Sequence, residues 1–173
     1  MSEFVVQKVS TDEWYTPPFV FEAFGIAFDL DPCAAPDGKG FVPAKMYIRP
    51  PANGLYRPWS GRVFMNPPYG KREGHVPWLR KFLDHGNGIA VVRAYTSAGW
   101  FHDLIPEADG VFFPRGKTKF VNGAGGLQSS PSHGVVFLAR GGEMACILDR
   151  CRDQMPGIFY RQWPQTNQRS KLI

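Results

Sequence analysis

A chain of 173 residues, 43% of them hydrophobic and 14% aromatic, can bury one substantial core but is too short for two full domains. Its formal net charge of +5 favours an anionic partner, although a solubilising basic surface explains that charge equally well. Its three cysteines contain no C-x-x-C pair, which predicts an intracellular protein without a disulfide framework or zinc site. The sequence shows no signal peptide and no run of about 18 apolar residues, so it predicts a soluble protein without a membrane span.

The first third of the chain predicts a helix, a strand and a long connection. "TPPFVFEAFG" predicts a short helix with Thr16 as its N-cap, Pro17 as its first residue and Gly25 as its end. "IAFDLDPCAA" predicts a buried strand that opens into a loop at Asp31. Residues 36–61 carry many prolines and glycines without periodicity, which predicts a connection lacking regular structure.

Further along, strands alternate with helices and are then joined by loops. "GRVFMNPPYG" predicts a strand, "VPWLRKFLDHG" a helix, "NGIAVVRAYT" a strand and "SAGWFHDLIPEA" a helix capped by Ser97. "DGVFFP", "KTKFVN" and "HGVVFLAR" read as strands, and "GEMACILDRCRDQ" as a helix, with a strand start as its alternative. We therefore expect an α/β fold with a mostly parallel sheet and an antiparallel edge, formed by residues 1–158. Residues 159–173 are expected to be a polar, basic and loosely ordered tail.

The stretch "MNPPYG" is unusual because an amide, two prolines and an aromatic ring directly follow a strand. Ligands of open α/β sheets bind at the carboxyl ends of the strands, where the Asp31 loop also lies. Prolines fix φ near about −65° and lack an N–H, so this loop is stiff. The Asn66 side-chain oxygen and the Pro67 carbonyl are then placed to accept both hydrogens of an exocyclic amino or amide nitrogen.

Such acceptors would localise the lone pair of an aromatic amine toward an electrophile, and no general base is needed before group transfer. Tyr69 could stack on the ring that carries the nitrogen, a contact worth roughly 1–3 kcal/mol in nucleic-acid binders. The competing interpretation is a proline-rich turn in which Asn66 caps the strand and Tyr69 packs on the core. The second motif at Asp31 favours the functional interpretation.

On these motifs the sequence is identified as similar to a known family. "NPPY" resembles the catalytic motif of S-adenosylmethionine-dependent amino methyltransferases. Together with "EWYTPPFVFEAFGIAFDLDPCAAP", "GLYRPWSGRVFMNPPYG", "VPWLRKF" and "VVRAYTSAGWFHDL", it resembles the small phage-type DNA N6-adenine methyltransferase (Dam-like) family over about residues 12–140. The resemblance implies a compact Rossmann-like methyltransferase domain that uses S-adenosylmethionine and acts on DNA, in the cytoplasm of a bacterial host and encoded by a phage or prophage.

The resemblance also implies which residues form the site. The tetrapeptide implied to be catalytic is Asn66, Pro67, Pro68 and Tyr69. The residues implied to hold the cofactor are Tyr15, Thr16, Pro17, Asp31, Pro32, Cys33 and Ala34. Asp31 is expected to meet the cofactor's amino group, and Asp29, on the same face of the strand, is a further candidate.

The sequence departs from larger relatives after Asp31, where it reads "DPCAAPDGKG" and places its glycines, Gly38 and Gly40, late. We see no second strand bearing an acidic ligand for the cofactor's ribose. Some strands of the usual seven-stranded sheet are therefore expected to be missing. No large target-recognition domain fits in this length, so we expect weak sequence preference, or a preference from residues 115–133, the tail or a dimer.

Basic residues near the motifs are candidate DNA contacts. A flipped base brings its phosphates close to the catalytic loop. The predicted phosphate contacts are Lys71, Arg72, Arg115, Lys117 and Lys119, with a solvated charged face as the alternative. The four histidines lack metal-ligand spacing, so no metal is predicted.

Other functions remain open at this stage. The same tetrapeptide also fits guanine N2 in RNA, cytosine N4 and glutamine amides in proteins. A DNA-binding module that has lost catalysis is the alternative from another class, and it would retain DNA without binding S-adenosylmethionine. A monomer and a homodimer are both compatible with the sequence.

Overall fold

The structure is a computed structural model, and it describes residues 14–36, 38, 40–69, 74–122 and 133–161. The strands are β1 Trp14–Tyr15, β2 Phe28–Asp31, β3 Ala44–Tyr47, β4 Val63–Met65, β5 Gly88–Arg93, β6 Gly110–Pro114, β7 Val121–Asn122, β8 Val135–Arg140 and β9 Gly157–Arg161. The α-helices are α1 Pro18–Phe24, α2 Val76–His85, α3 Gly99–Leu104 and α4 Gly142–Arg150. Short 3-10 turns lie at Gly54–Tyr56, Ile105–Glu107 and Cys151–Asp153.

Seven of these strands form one mixed sheet in the order β3-β2-β4-β5-β8-β6-β9. The first four run parallel, whereas β8, β6 and β9 each pair antiparallel with their neighbours. The prediction of a parallel region with an antiparallel edge is confirmed. The expected shortage of strands is not seen, because the described part of the chain alone supplies seven to this sheet. A separate antiparallel ribbon joins β1 to β7.

Helices cover both faces of the sheet because the central strands are apolar on both sides. Phe64 of β4 belongs to the core cluster that contains α1 and α4 side chains. Its neighbours Val63 and Met65 belong to the opposite cluster, with side chains of α2 and α3. This alternation follows from the two-residue period of a strand and produces three layers. None of the described helices is long and apolar enough to span a membrane.

The first helix begins one residue later than a Thr16 cap would require. Pro17 is its N-cap, in an extended conformation (φ −73°, ψ 156°), and Pro18 is its first residue. The physical reason is that a residue before proline is disfavoured in the helical region. The predicted end is confirmed, since Gly25 adopts a left-handed conformation with φ 65°. The predicted helix over residues 76–86 is confirmed as α2, which also ends at a left-handed glycine, Gly86.

The connection predicted for residues 36–61 contains a strand, so that expectation was wrong in part. Ala44–Tyr47 forms β3 and pairs parallel with β2 at the edge of the sheet. Its last three side chains are exposed, so the sequence lacks the alternation of apolar and polar residues that predicts a half-buried strand. This strand carries no acidic residue, so no carboxylate stands at the position expected for a ribose ligand.

Two further boundaries differ from the predictions. Ala98, and not Ser97, is the N-cap of α3, and it makes no side-chain capping hydrogen bond. The predicted helix is interrupted at Ile105, where a 3-10 turn that contains Pro106 begins. The tail expected from residue 159 starts within a strand, because β9 pairs with β6 as far as Arg161. The segment predicted as the last helix is confirmed as α4.

Candidate active site

A cleft of about 420 Å³ lies at the carboxyl ends of β2 and β4. Because these strands are parallel neighbours, the loops that follow them emerge at the same edge of the sheet. The lining residues are Trp14, Tyr15, Pro32 to Pro36, Ile48, Pro50 to Gly54, Asn66 to Tyr69 and Trp78. The structure therefore brings the predicted catalytic tetrapeptide together with four of the predicted cofactor residues, namely Tyr15, Pro32, Cys33 and Ala34.

The Asn66 amide is oriented by backbone that lies far away in the sequence. Its Nδ2 donates a hydrogen bond of 2.6 Å to the carbonyl oxygen of Trp14 and a longer one, of 3.4 Å, to Thr16 Oγ1. A carbonyl oxygen accepts only from the NH₂ end of an amide, so this contact fixes the direction of the side chain. Asn66 Oδ1 is buried and has no hydrogen-bond partner among the described residues. A residue of the cleft wall thus holds a buried acceptor that no described donor uses.

Tyr69 is held more firmly than a free stacking platform would be. Only 6% of the residue is exposed, and its hydroxyl donates to the carbonyl oxygen of Val91 at 3.3 Å. Burial raises the pKa of the hydroxyl far above its ordinary value, so Tyr69 is neutral at physiological pH. The guanidinium carbon of Arg93 lies 4.4 Å from the ring centroid. The aromatic ring of Tyr69 therefore already has a cation–π contact with Arg93.

Asp31 lies beneath the cleft and does not line it. The residue is 4% exposed, and its Oδ1 accepts a hydrogen bond of 2.9 Å from the Cys33 backbone N–H. Burial raises the pKa of this carboxyl to about 7, against the opposing effects of the Cys33 N–H and the Arg49 charge. Its visible role is to shape the Pro32–Cys33 turn, and the predicted contact with a cofactor stays a prediction. Burial also raises the pKa of the Cys33 thiol well above its usual range.

The remaining predicted cofactor residues divide between the cleft wall and its support. Tyr15 lines the cleft and belongs to β1, which is fixed by its pairing with β7. Thr16 and Pro17 are buried and stand outside the lining. Thr16 contacts Asn66, and Pro17 is the N-cap of the first helix.

One wall of the cleft was missed by the sequence reasoning. The segment Pro50 to Gly54 faces the Pro32 turn, and a Cβ on Gly54 would stand 2.1 Å from the Pro32 carbonyl oxygen. Lys81 of α2 holds the following turn by donating to the carbonyl oxygens of Gly54, Leu55 and Arg57 at 3.1, 2.7 and 2.5 Å. The available signal was the pair of prolines and the glycine within a long connection, which is typical of a functional loop.

The structure describes three of the five residues that were predicted to contact DNA. Arg115, Lys117 and Lys119 are exposed, on the segment between β6 and β7. Because β7 pairs with β1, this segment leads directly to the strand that lines the cleft. Lys71 and Arg72 lie outside the described residues.

Asp29 and the histidine nearest the tetrapeptide, His75, both lie outside the cleft lining. Asp29 does not line the cleft; it forms an ion pair of 2.8 Å with Lys45 and accepts from the Arg62 N–H at 2.8 Å. His75 is 1% exposed and packs edge-on against Trp100, with ring centroids 4.6 Å apart. Burial lowers its pKa to about 4. Among residues 14–36, 38, 40–69, 74–122 and 133–161, no group of three or more His, Cys, Asp or Glu side chains is placed to hold a metal ion.

Comparison with known proteins identifies the family. A family model described as DNA N-6-adenine-methyltransferase (Dam) matches residues 4–150. A DNA N-6-adenine-methyltransferase of Haemophilus phage HP1 (strain HP1c1) is 27% identical over 144 residues, which is 77% of this chain and 80% of the phage protein. No solved structure matches the chain. The resemblance inferred from the motifs is confirmed: the chain belongs to the Dam family of DNA N-6-adenine-methyltransferases and is an enzyme.

Proposed function

We propose that this enzyme transfers the methyl group of S-adenosylmethionine to N6 of adenine in DNA, on a Rossmann-like fold. The observation that carries the proposal is the Asn66 amide, whose NH₂ is tied to the Trp14 carbonyl while its buried oxygen has no described partner. A buried acceptor without a donor is costly, by about 1–3 kcal/mol, and such groups in native proteins need a functional explanation. An incoming amino group supplies the missing donor.

The cleft suits the proposed cofactor. Its volume of about 420 Å³ is in the range of small-molecule sites. Four aromatic residues, Trp14, Tyr15, Tyr69 and Trp78, are among those that line it. Aromatic rings attract a sulfonium cation without any carboxylate in the wall. Tyr15 and the turn from Pro32 to Ala34 would hold the cofactor, which supplies an electrophilic methyl group when bound.

The protein's own contribution to the reaction is orientation. Asn66 Oδ1 accepts one hydrogen of the adenine amino group, and the Pro67 carbonyl oxygen is the proposed acceptor for the other. With both hydrogens held, the nitrogen lone pair is directed out of the conjugated ring and toward the methyl donor. Once alkylated, the nitrogen becomes acidic and releases a proton, so no general base has to act beforehand.

The target nitrogen is hidden in a duplex, so the base must leave the helix stack unless the DNA is single-stranded. Base flipping costs roughly a few kcal/mol and is partly recovered by stacking in the site. Tyr69 is the proposed stacking partner, and the exposed residues Arg115, Lys117 and Lys119 are proposed phosphate contacts. Membership of the family favours adenine over cytosine, RNA guanine or glutamine as the acceptor, and an enzyme over a non-catalytic DNA-binding module.

The test is methyl transfer from labelled S-adenosylmethionine to unmethylated DNA, followed by mass spectrometry of the nucleosides. N6-methyladenine is expected with the native enzyme, and Asn66→Ala should lower its rate of formation about 100-fold or more. Asn87→Ala is the matched control, because Asn87 directly precedes β5, at the strand end opposite the cleft.

Calorimetry of cofactor binding separates the possible failures. Cofactor binding without label in DNA would refute adenine as the acceptor and direct the search to RNA bases or protein amides. Absence of cofactor binding would refute the methyltransferase mechanism for this chain.

A further inference from the structure

Arg93 contacts the catalytic ring without lining the cleft. It is the last residue of β5, the parallel neighbour of the strand that leads into the tetrapeptide. Its guanidinium carbon lies 4.4 Å from the Tyr69 ring centroid and 5.9 Å from that of Tyr95. The residue is half-buried and is not among those that line the cleft. The cation is therefore fixed beside the site of chemistry but outside the proposed cofactor space.

None of the described carboxylates forms an ion pair with Arg93. Ion pairs of the described residues use the carboxylates of Asp29, Glu107, Asp109 and Asp149, and Arg93 joins none of them. Its guanidinium also donates no hydrogen bond to a described residue. A guanidinium that stacks on a ring keeps its N–H donors in its own plane, where they are arranged to meet a phosphate or carboxylate in pairs.

Tyr95 connects the surroundings of Arg93 to the His133 ring. The Tyr95 hydroxyl and the His133 ring are within hydrogen-bond distance, at 3.0 Å from Nδ1, and the Ala94 N–H donates to the Gly134 carbonyl at 2.9 Å. Burial, followed by the charges of Arg93 and Lys117, lowers the pKa of His133. Beside Tyr69 thus lie the Arg93 guanidinium and, next to it, Tyr95 and His133.

We propose that Arg93 binds a DNA phosphate next to the target nucleotide. The inference rests on the proposed function, because it takes DNA as the substrate and Tyr69 as part of the catalytic motif. A phosphate is favoured over the cofactor's carboxylate because Arg93 does not line the cleft. Binding a phosphate here would place the strand so that its base reaches the Tyr69 ring.

The experiment measures DNA binding by fluorescence anisotropy over a range of salt concentrations, with a labelled duplex that carries a mismatched adenine. Arg93→Gln should weaken binding about 10- to 100-fold, as expected for loss of a charged hydrogen-bonded contact. It should also reduce the slope of log K against log salt by about 0.9, the amount for one phosphate. Arg93→Lys keeps the charge and should restore the slope while recovering only part of the affinity.

The control is Arg152→Gln, which removes the same charge from an exposed residue paired with Asp149. This variant should leave the DNA affinity and the salt slope nearly unchanged. Cofactor binding should be unchanged in all of the variants. If Arg93→Gln lowers methylation but not the salt slope, Arg93 acts only by supporting Tyr69 and the phosphate inference is overturned. If Arg93→Lys does not restore the slope, the inference is likewise overturned. If the native enzyme neither binds nor methylates DNA, the proposed function itself has failed.

Discussion

The Asn66 side chain shows why an amide that is proposed to hold a substrate needs a partner from elsewhere in the chain. An amide has a donor end and an acceptor end, and nothing within the tetrapeptide decides which of them faces a substrate. The carbonyl oxygen of Trp14, 52 residues earlier, accepts from the NH₂ and leaves the oxygen unused. The β1 strand that carries this carbonyl is itself fixed by pairing with β7. The direction of the acceptor thus depends on a ribbon that the motif does not reveal.

The pH dependence of stability should report the buried Asp31 carboxyl. Its pKa is raised by burial from an ordinary 3.8 to about 7, so folding favours the protonated form. The stability that this form contributes is complete below pH 3.8 and is lost as the pH rises through about 7. Asp31→Asn mimics the protonated acid and should be more stable than the native chain at pH 8, by on the order of 3–4 kcal/mol, with little difference at pH 4. Urea unfolding without cofactor at both pH values measures this.

Asp29→Asn is the matched control and should behave in the opposite way. The hydrogen bond from Lys45 lowers the pKa of Asp29, so its ionised form contributes stability that is lost as the pH falls. This substitution should therefore destabilise the protein at pH 8 and matter less at pH 4. If both variants showed the same pH dependence as the native chain, the burial of the Asp31 charge would not be a determinant of stability.

At the scale of elements, the cleft depends on the close approach of two loops. Gly54 has an ordinary backbone conformation, yet a Cβ there would stand 2.1 Å from the Pro32 carbonyl oxygen. Gly54→Ala should therefore push the two cleft walls apart. We expect cofactor affinity to fall about 10-fold or more and stability to drop by about 1–3 kcal/mol, as in overpacked sites. Calorimetric titration of the cofactor and chemical denaturation measure the two effects.

Gly99→Ala provides the control for the loss of a glycine. Gly99 begins α3, and a Cβ there would meet no atom within 4 Å. Alanine should stabilise this helix slightly, by up to about 1 kcal/mol, and leave cofactor binding unchanged. Equal effects of the two substitutions would mean that the contact between Gly54 and Pro32 does not set the shape of the cleft.

The predictable elements are those whose buried side chains form a clear pattern of apolar residues along the sequence. β5 begins at Gly88, α2 ends before Gly86, and both are rich in buried apolar side chains, so their pattern alone indicated them. β3 and β9 lie at the two edges of the sheet, where exposed side chains such as Met46 and Tyr160 erase that pattern. The tetrapeptide was predictable as a motif. Arg93 was not, because its importance comes from stacking on Tyr69, which only the fold reveals.

At the scale of the whole molecule, the two halves of the sheet make different contributions. The parallel half supplies the loops after β2 and β4 that form the cleft. The antiparallel half includes β8, whose ladder with β5 continues through the backbone bond from Ala94 to Gly134. That continuation brings His133 to Tyr95, beside Arg93. A mixed sheet therefore places Arg93 beside a largely apolar cleft, as the proposed binding of a small cofactor and a polyanion together requires.

The same view predicts where the chain can be shortened. β9 pairs with β6 through Arg161, and Phe159 packs against the core, with its ring 2.7 Å from the position of a Cβ on Gly110. A chain ending after Arg161 should keep the sheet complete. One ending after Ile158, at the predicted domain boundary, loses this ring and should be less stable by about 2–4 kcal/mol, a typical cost for removing a core phenylalanine. Urea unfolding of both chains measures the difference.

Point variants of the full chain distinguish loss of packing from loss of chain length. Phe159→Ala should reproduce most of the destabilisation, because it removes the same ring while keeping the backbone of β9. Tyr160→Ala should cost less than about 1 kcal/mol, since Tyr160 is 58% exposed on the neighbouring position of the strand. Equal stability of the chains ending at 158 and 161 would place the functional edge of the sheet at β6. The predicted boundary would then hold, and β9 would be dispensable for the fold that positions the cleft.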